Sequence, residues 1–241
     1  MLAPAIVSFG RVLLRRRVSS VNAYRRAVES NRGLEIGGPS GVFEASGICP
    51  IYKYALGIDN VDFSSVTSWK RREDSLIREA TDLHGIADAT YDFVLSAHNL
   101  EHVANPVKAL IEWKRVLKRS GSLILVLPNF RFTFDHRRIP TPVSHMLEDY
   151  KKGTDERDLS HLPEILALHD LSLDKQAGDV ETFKARSLRN FENRCLHHHV
   201  FDQINSTDLV RAAGFNIQRC ETVKPHHIVI LANSLSESLS N

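Results

Sequence analysis

Residues 33–41, GLEIGGPSG, limit most tightly what this chain can fold into, because a short apolar strand carrying an acid runs straight into a glycine-dense turn. Glycine accepts backbone angles closed to other residues and removes the Cβ that would hold a bound molecule off the main chain. A strand ending in such a turn belongs to an open α/β sheet and forms the floor of a ligand site. A dinucleotide site would space its glycines GxGxxG, and a phosphate loop would read GxxxxGK[ST]. Here the glycines fall at 37, 38 and 41, so neither phosphate signature fits.

Further along, residues 91–103 read YDFVLSAHNLEHV, Asn105-Pro106 opens a helix, and residues 122–129 read SLILVLPN. Asn105 suits an N-cap with Pro106 at the first helical position. Val107, Leu110, Trp113 and Leu117 recur at helical spacing, and Gly121 follows the end. The apolar run after it predicts a strand buried on both faces of a parallel sheet.

The glycine turn resembles the acid-x-Gly-x-Gly-x-Gly loop of class I S-adenosylmethionine-dependent methyltransferases, with Pro39 where the middle glycine usually falls. The second segment looks like the fourth strand, following helix and fifth strand of the same class, in its small-molecule and glycan, methyltransferase-11-like form. The resemblance covers about 34–232 outside an insertion. It implies a Rossmann-like, doubly wound α/β fold with a seven-stranded sheet, S-adenosylmethionine as cofactor, and Glu35, Gly37, Gly38 and Gly41 in its loop. Residues 54–59 read as a second strand ending in Asp59, which the resemblance sets against the ribose hydroxyls, with Asp62 as its rival. Asp82 and Leu83, at the exit of a third strand over 75–83, fall where the class contacts adenine. Ala97 and His98 border the methionine part, and His102 stands at the substrate mouth.

Length and charge frame this reading. A chain of 241 residues builds one complete α/β domain, and a net charge of +2 gives no basis for expecting nucleic acid as partner. Cys49, Cys195 and Cys220 are scattered without CxxC spacing, as free thiols in a reducing, cytoplasmic setting would be. Residues 1–32 predict a basic helical segment. Its first 27 residues hold Arg11, Arg15, Arg16, Arg17, Arg25 and Arg26 and no acid. That segment suits packing over the cofactor edge, and also peripheral contact with the inner face of an anionic membrane. The domain proper spans 33–232 and the serine-rich 233–241 is a frayed tail. The oligomeric state stays open, a homodimer included.

Residues 130–200 form an insertion after the fifth strand, expected to cap the substrate, and hold seven of the twelve histidines. A neutral histidine, with an ordinary pKa near 6.5, is matched to taking the proton of a hydroxyl acceptor at neutral pH. His136, His198 and His199 are the candidate bases, with Arg137, Arg138 and His197 beside the substrate. Residues 98–102 match the zinc-peptidase pattern HxxEH, but they occupy a strand-to-helix turn rather than a helix, so no metal is expected there. The run 197–199 could also help bind a divalent ion, with Asp135, Asp170 or Asp202 supplying oxygen. In a strand adjacent side chains alternate faces, so at most two of the three would reach one ion, and the expected enzyme is metal-free.

The polar, histidine- and arginine-rich insertion points to O-methylation of a hydroxylated acceptor such as a sugar or glycan. The alternatives are a small-molecule natural-product methyltransferase and a non-catalytic module that keeps the fold and binds a partner through the insertion. Residues 96–99 read SAHN rather than the Asn-Pro-Pro-Tyr motif of amino-group methylation on nucleic acid.

Overall fold

The computed structural model describes residues 17–64 and 75–235. Its strands are β1 (Arg32–Ile36), β2 (Gly57–Asp62), β3 (Leu76–Ile77), β4 (Tyr91–Ala97), β5 (Leu117–Pro128), β6 (Phe215–Val223) and β7 (His227–Ser234). They form one seven-stranded sheet in the order β3-β2-β1-β4-β5-β7-β6. Strands β1 to β5 run parallel, and β7 enters antiparallel between β5 and β6. The helices are α1 (Val21–Val28), α2 (Pro106–Val116), α3 (Val143–Lys152), α4 (Leu162–Leu168), α5 (Val180–Leu188), α6 (Asn190–Asn193) and α7 (Gln203–Ala212). This is the doubly wound architecture that the resemblance implies.

The unbroken apolar run of β5 follows from being covered on both faces. Leu123, Leu125 and Leu127 point into one core with Val94, Ile228, the α2 residues Val107, Leu110 and Trp113, and Leu209 of α7. Ile124 and Val126 point into the other, with Phe93, Leu95, Val229 and the α1 residues Tyr24 and Val28. Both cores are closed to water, and each residue from Leu123 to Leu127 contributes to one of them.

Local signals fix the flanking helices. The Asn105 side chain accepts from the Lys108 N–H at 3.0 Å, capping α2. Leu117, predicted as the last apolar position of that helix, instead turns extended and begins β5 opposite Tyr91; the strand then bulges before its register resumes at Phe93 and Ser122. Asp202 and Asn205 cap α7 reciprocally, so the helix starts at Gln203.

Residues 130–200 carry α3 to α6; α3 sends Met146 into the core beneath the sheet, while α4 and α5 close a small core of their own, Leu162, Ile165, Ala177, Phe183 and Leu196. Of the basic N-terminal segment, residues 1–16 lie outside the described residues, as do 65–74 of the crossover after β2 and 236–241 of the tail. Among the described residues no helix is long and apolar enough to cross a membrane.

Candidate active site

In an open parallel sheet, ligands bind beyond the carboxyl ends of the strands where the strand order reverses. Here that point lies between β1 and β4. A cavity of about 820 Å³ opens there, lined by Ile36 and Gly37 of β1 and its turn, Val61 and Asp62 of β2, Ala97 and His98 after β4, and Pro128 of β5. The insertion forms the facing wall through Phe134, Arg194 and His197. Its size falls within the range of small-molecule sites.

The glycine turn is built from underneath. Gly37 has φ +75°, and a Cβ there would come within 2.7 Å of Asn99 Oδ1. Gly41 faces the cavity, where a Cβ would meet no atom within 4 Å. Gly38 and Glu35, expected on the ligand side, do not line the cavity. Glu35 is folded beneath the loop, where its Oε1 accepts from the Ser40 N–H at 3.0 Å and its Oε2 from the Tyr52 hydroxyl at 2.6 Å. A Cβ at Gly38 would lie 2.2 Å from Glu35 Cδ, so this glycine makes room for a side chain of its own loop.

Burial pushes the Glu35 carboxyl up to about 7, although both hydrogen bonds pull it down. The folded state therefore holds this proton more tightly than the unfolded chain, whose carboxyl titrates near 4.5. Its contribution to stability is full below 4.5 and is lost as pH rises to about 7, by about 3 kcal/mol. Denaturant unfolding across that range is expected to show this slope in the wild type and not in Glu35→Gln.

Two acids exchange places with their neighbours. Asp59 sits in the middle of β2 opposite Leu34, with its carboxylate turned to the amino end of the sheet, 2.9 Å from the Tyr91 hydroxyl and 3.6 Å from Arg32. Strand β2 runs on to Asp62, and that acid reaches the cavity. Asp82 and Leu83 likewise miss the cavity, and Glu79 and Ala80 line it. Strand β3 ends at Ile77, so the following turn presents its first residues; Asp82 faces solvent beside His84, and the Leu83 N–H donates to Glu112 at 2.8 Å.

The opposite wall gathers imidazoles and a carboxylate. His98, with φ +50°, places Nε2 2.8 Å from His227 Nδ1. His102 Nδ1 lies 3.1 Å from the Leu196 carbonyl, so Nδ1 carries the proton and Nε2 keeps a lone pair. Burial first, and then the neighbouring His197, push His102 down to about 4. His197 Nδ1 lies 2.5 Å from Asp135 Oδ2. Burial opposes charge on His197, but Asp135 and then Glu101 outweigh it and raise its pKa. Asp135 is the counterpart: burial would raise it, and His197 and Arg138 hold it down at about 2. Glu101 is 1% exposed; burial works against its charge, and His98, His102 and His197 overcome that and lower its pKa. Glu101 Oε2 and Asn99 Nδ2, both on cavity-lining residues, have no hydrogen-bond partner among the described residues.

None of the three candidate bases lines the cavity. His136 folds back with Nδ1 3.1 Å from the Thr133 carbonyl, and Arg137 pairs with Asp170 at 2.8 Å. Arg138 is buried, bonded to Asp135 at 3.1 Å and to the carbonyls of His197 and His198 at 2.8 and 3.2 Å, so it supports the chain rather than a substrate. His198 Nε2 meets Asn190 at 3.0 Å and His199 Nε2 meets Asp149 at 3.1 Å. Residues 196–200 form no regular strand, and their side chains leave toward separate elements. His197, predicted beside the substrate, is the member of the run that reaches the cavity, joined there by the predicted His102. Asp135 and Glu101 were visible only as acids flanking other histidines.

The sheet order, the glycine turn at the switch point and the cavity beyond it define a class I methyltransferase fold. Residues 36–125 match the family described as a methyltransferase domain, in keeping with a class I S-adenosylmethionine-dependent methyltransferase fold. An uncharacterized protein of Methanocaldococcus jannaschii is 34% identical over 107 residues, 44% of this chain. The aligned part spans about half, 49%, of that relative. A chain from the complex of the Haloferax volcanii Trm112 methyltransferase activator with a methyltransferase shares the fold, with a TM-score of 0.51 at 11% identity, over 90% of this chain and 88% of the other.

Proposed function

We propose that this chain transfers the methyl group of S-adenosylmethionine to a hydroxyl oxygen of a polyhydroxylated acceptor such as a sugar or glycan. The observation that carries this reading is a single cavity with a glycine floor and Asp62 at one end and His102 and the Asp135-held His197 at the other. Its donor set fits the cofactor. Asp62 offers paired acceptors to a ribose diol, Glu101 Oε2 an acceptor to a cationic group, and Asn99 Nδ2 a donor to a carboxylate. When bound, S-adenosylmethionine supplies a methyl group on a cationic sulfur. His197 takes the acceptor's proton on its remaining ring nitrogen, while Asp135 fixes the ring and stabilises the imidazolium. Apart from histidines, the aromatic residues of the lining among the described residues are Phe63 and Phe134, which favours a hydroxylated acceptor over a flat aromatic one. The three cysteines are free, in keeping with a reducing compartment.

Calorimetric titration with S-adenosylmethionine, and with NAD as a control, tests the cofactor half. Asp62→Ala is expected to weaken binding about 10- to 100-fold, the range for losing a charged hydrogen-bonding group. Asp59→Ala, which alters only the far end of the sheet, is expected to bind as the wild type does. Equal losses in both variants, or no binding by folded wild-type protein, would overturn this assignment.

A further inference from the structure

A second group of histidines lies outside the cavity. His145 and Asp149 stand one turn apart on α3, His161 directly precedes α4, and His199 belongs to the segment that carries His197. One ligand atom from each of the four lies within 4.8 Å of all the others. His145 Nε2 is 3.1 Å from His161 Nε2 and 3.3 Å from Asp149 Oδ2, and His199 Nε2 is 3.1 Å from the same Oδ2. None of the four lines the cavity.

We propose that His145, Asp149, His161 and His199 form a binding site for one divalent transition ion of the zinc type, which ties α3 and the start of α4 to the segment of the insertion that bears the candidate base. The distances match the chemistry. Zinc bonds nitrogen and carboxylate oxygen at about 2.0–2.2 Å in a tetrahedron, whose ligand atoms are then about 3.3–3.6 Å apart. The three measured separations sit at or just inside that edge length. Three imidazoles and one carboxylate are a donor set that zinc accepts, and four protein ligands close the coordination sphere, as in a structural rather than a catalytic site.

The surroundings prepare the ligands. His145 and Asp149 share one face of α3 by their i, i+4 spacing. Past α3, Gly153 reverses the chain with φ +68°, and the Thr154 hydroxyl donates to Asp149 Oδ1 at 3.1 Å, turning Oδ2 toward the imidazoles. The His145 side chain is 37% exposed, which gives an ion a path in.

The site stands independently of the proposed methyl transfer and is tested without an acceptor. Tag-free full-length protein, stripped with a chelator, is titrated with Zn²⁺ by calorimetry and with Co²⁺ in the visible range. One ion per chain, with the strong visible bands of four-coordinate cobalt, is expected. His161→Ala and His145→Ala should each weaken binding by more than about a hundredfold, beyond the effect of losing an outer-shell partner. His145→Ala removes the most exposed ligand and decides the matter if His161→Ala fails to fold. His102→Ala should leave stoichiometry and affinity unchanged, because Glu101, His102 and His197 form a separate group within the cavity. No zinc binding by the folded wild type, wild-type affinity in His145→Ala, or loss of the ion in His102→Ala would each overturn the proposal.

Discussion

Asp135→Ala is expected to destabilise the protein by about 3–5 kcal/mol, because it strands the buried Arg138 guanidinium and removes the hydrogen-bond partner of the buried His197 ring. The Arg138 side chain is 1% exposed and lies 3.1 Å from Asp135 Oδ1, and His197 lies 2.5 Å from Oδ2. The guanidinium cannot be rehydrated where it stands. Asn at the same position keeps a hydrogen-bond acceptor without the charge and is expected to recover part of the loss. Denaturant unfolding at neutral pH measures both. The acid limb follows from the same ion group: a carboxyl held at about 2 contributes fully above its ordinary 3.8, and that contribution is lost as pH falls through about 2.

Removing the imidazole itself has the larger consequence for chemistry. His197→Ala is expected to lower methyl transfer about 10²- to 10⁴-fold, the usual value of a positioned base, with little change in cofactor affinity. Transfer of radiolabelled methyl to a panel of sugars and glycans measures the rate. Because the base must start without its proton, and its pKa is raised above 6.5, wild-type activity should climb with pH through that raised value. Stability moves the other way. The His197–Asp135 ion pair contributes fully below 6.5 and fades as pH rises through the folded value, so the more active form is the less stable one. Asp135→Asn should shift the rising limb of the activity profile downward. An activity profile unchanged in Asp135→Asn and a rate unchanged in His197→Ala would place the base elsewhere.

The sheet was legible in the sequence because its signals are local: the apolar run of β5, the Asn105 cap and the glycines after β1 each depend on a few neighbouring residues. The site was less legible because it depends on where pairing begins and ends. β2 starts at Gly57, after a short 3-10 turn over Tyr52–Tyr54, and therefore delivers Asp62 to the edge instead of Asp59. β3 pairs for only two residues, which brings Glu79 and Ala80 forward in place of Asp82 and Leu83. Both displacements are three residues long, and nothing in the identity of the acids distinguishes the one that reaches the cavity. For the histidines the missing information was direction. Adjacency in sequence suggested a shared task, and the fold gave His197, His198 and His199 separate partners in Asp135, Asn190 and Asp149.

That division has a consequence for how this part of the chain can vary. Most surface connections tolerate added or deleted residues, since lengthening a loop costs little and its side chains face water. The stretch from Leu196 to Val200 is buried throughout and is held at successive residues by different elements, with the Arg138 guanidinium clasping its carbonyls. Inserting or deleting a single residue would slide every histidine onto its neighbour's partner, so the cofactor-facing wall, the Asn190 contact and the α3 cluster would be misaligned together. Its sequence can drift only by substitution.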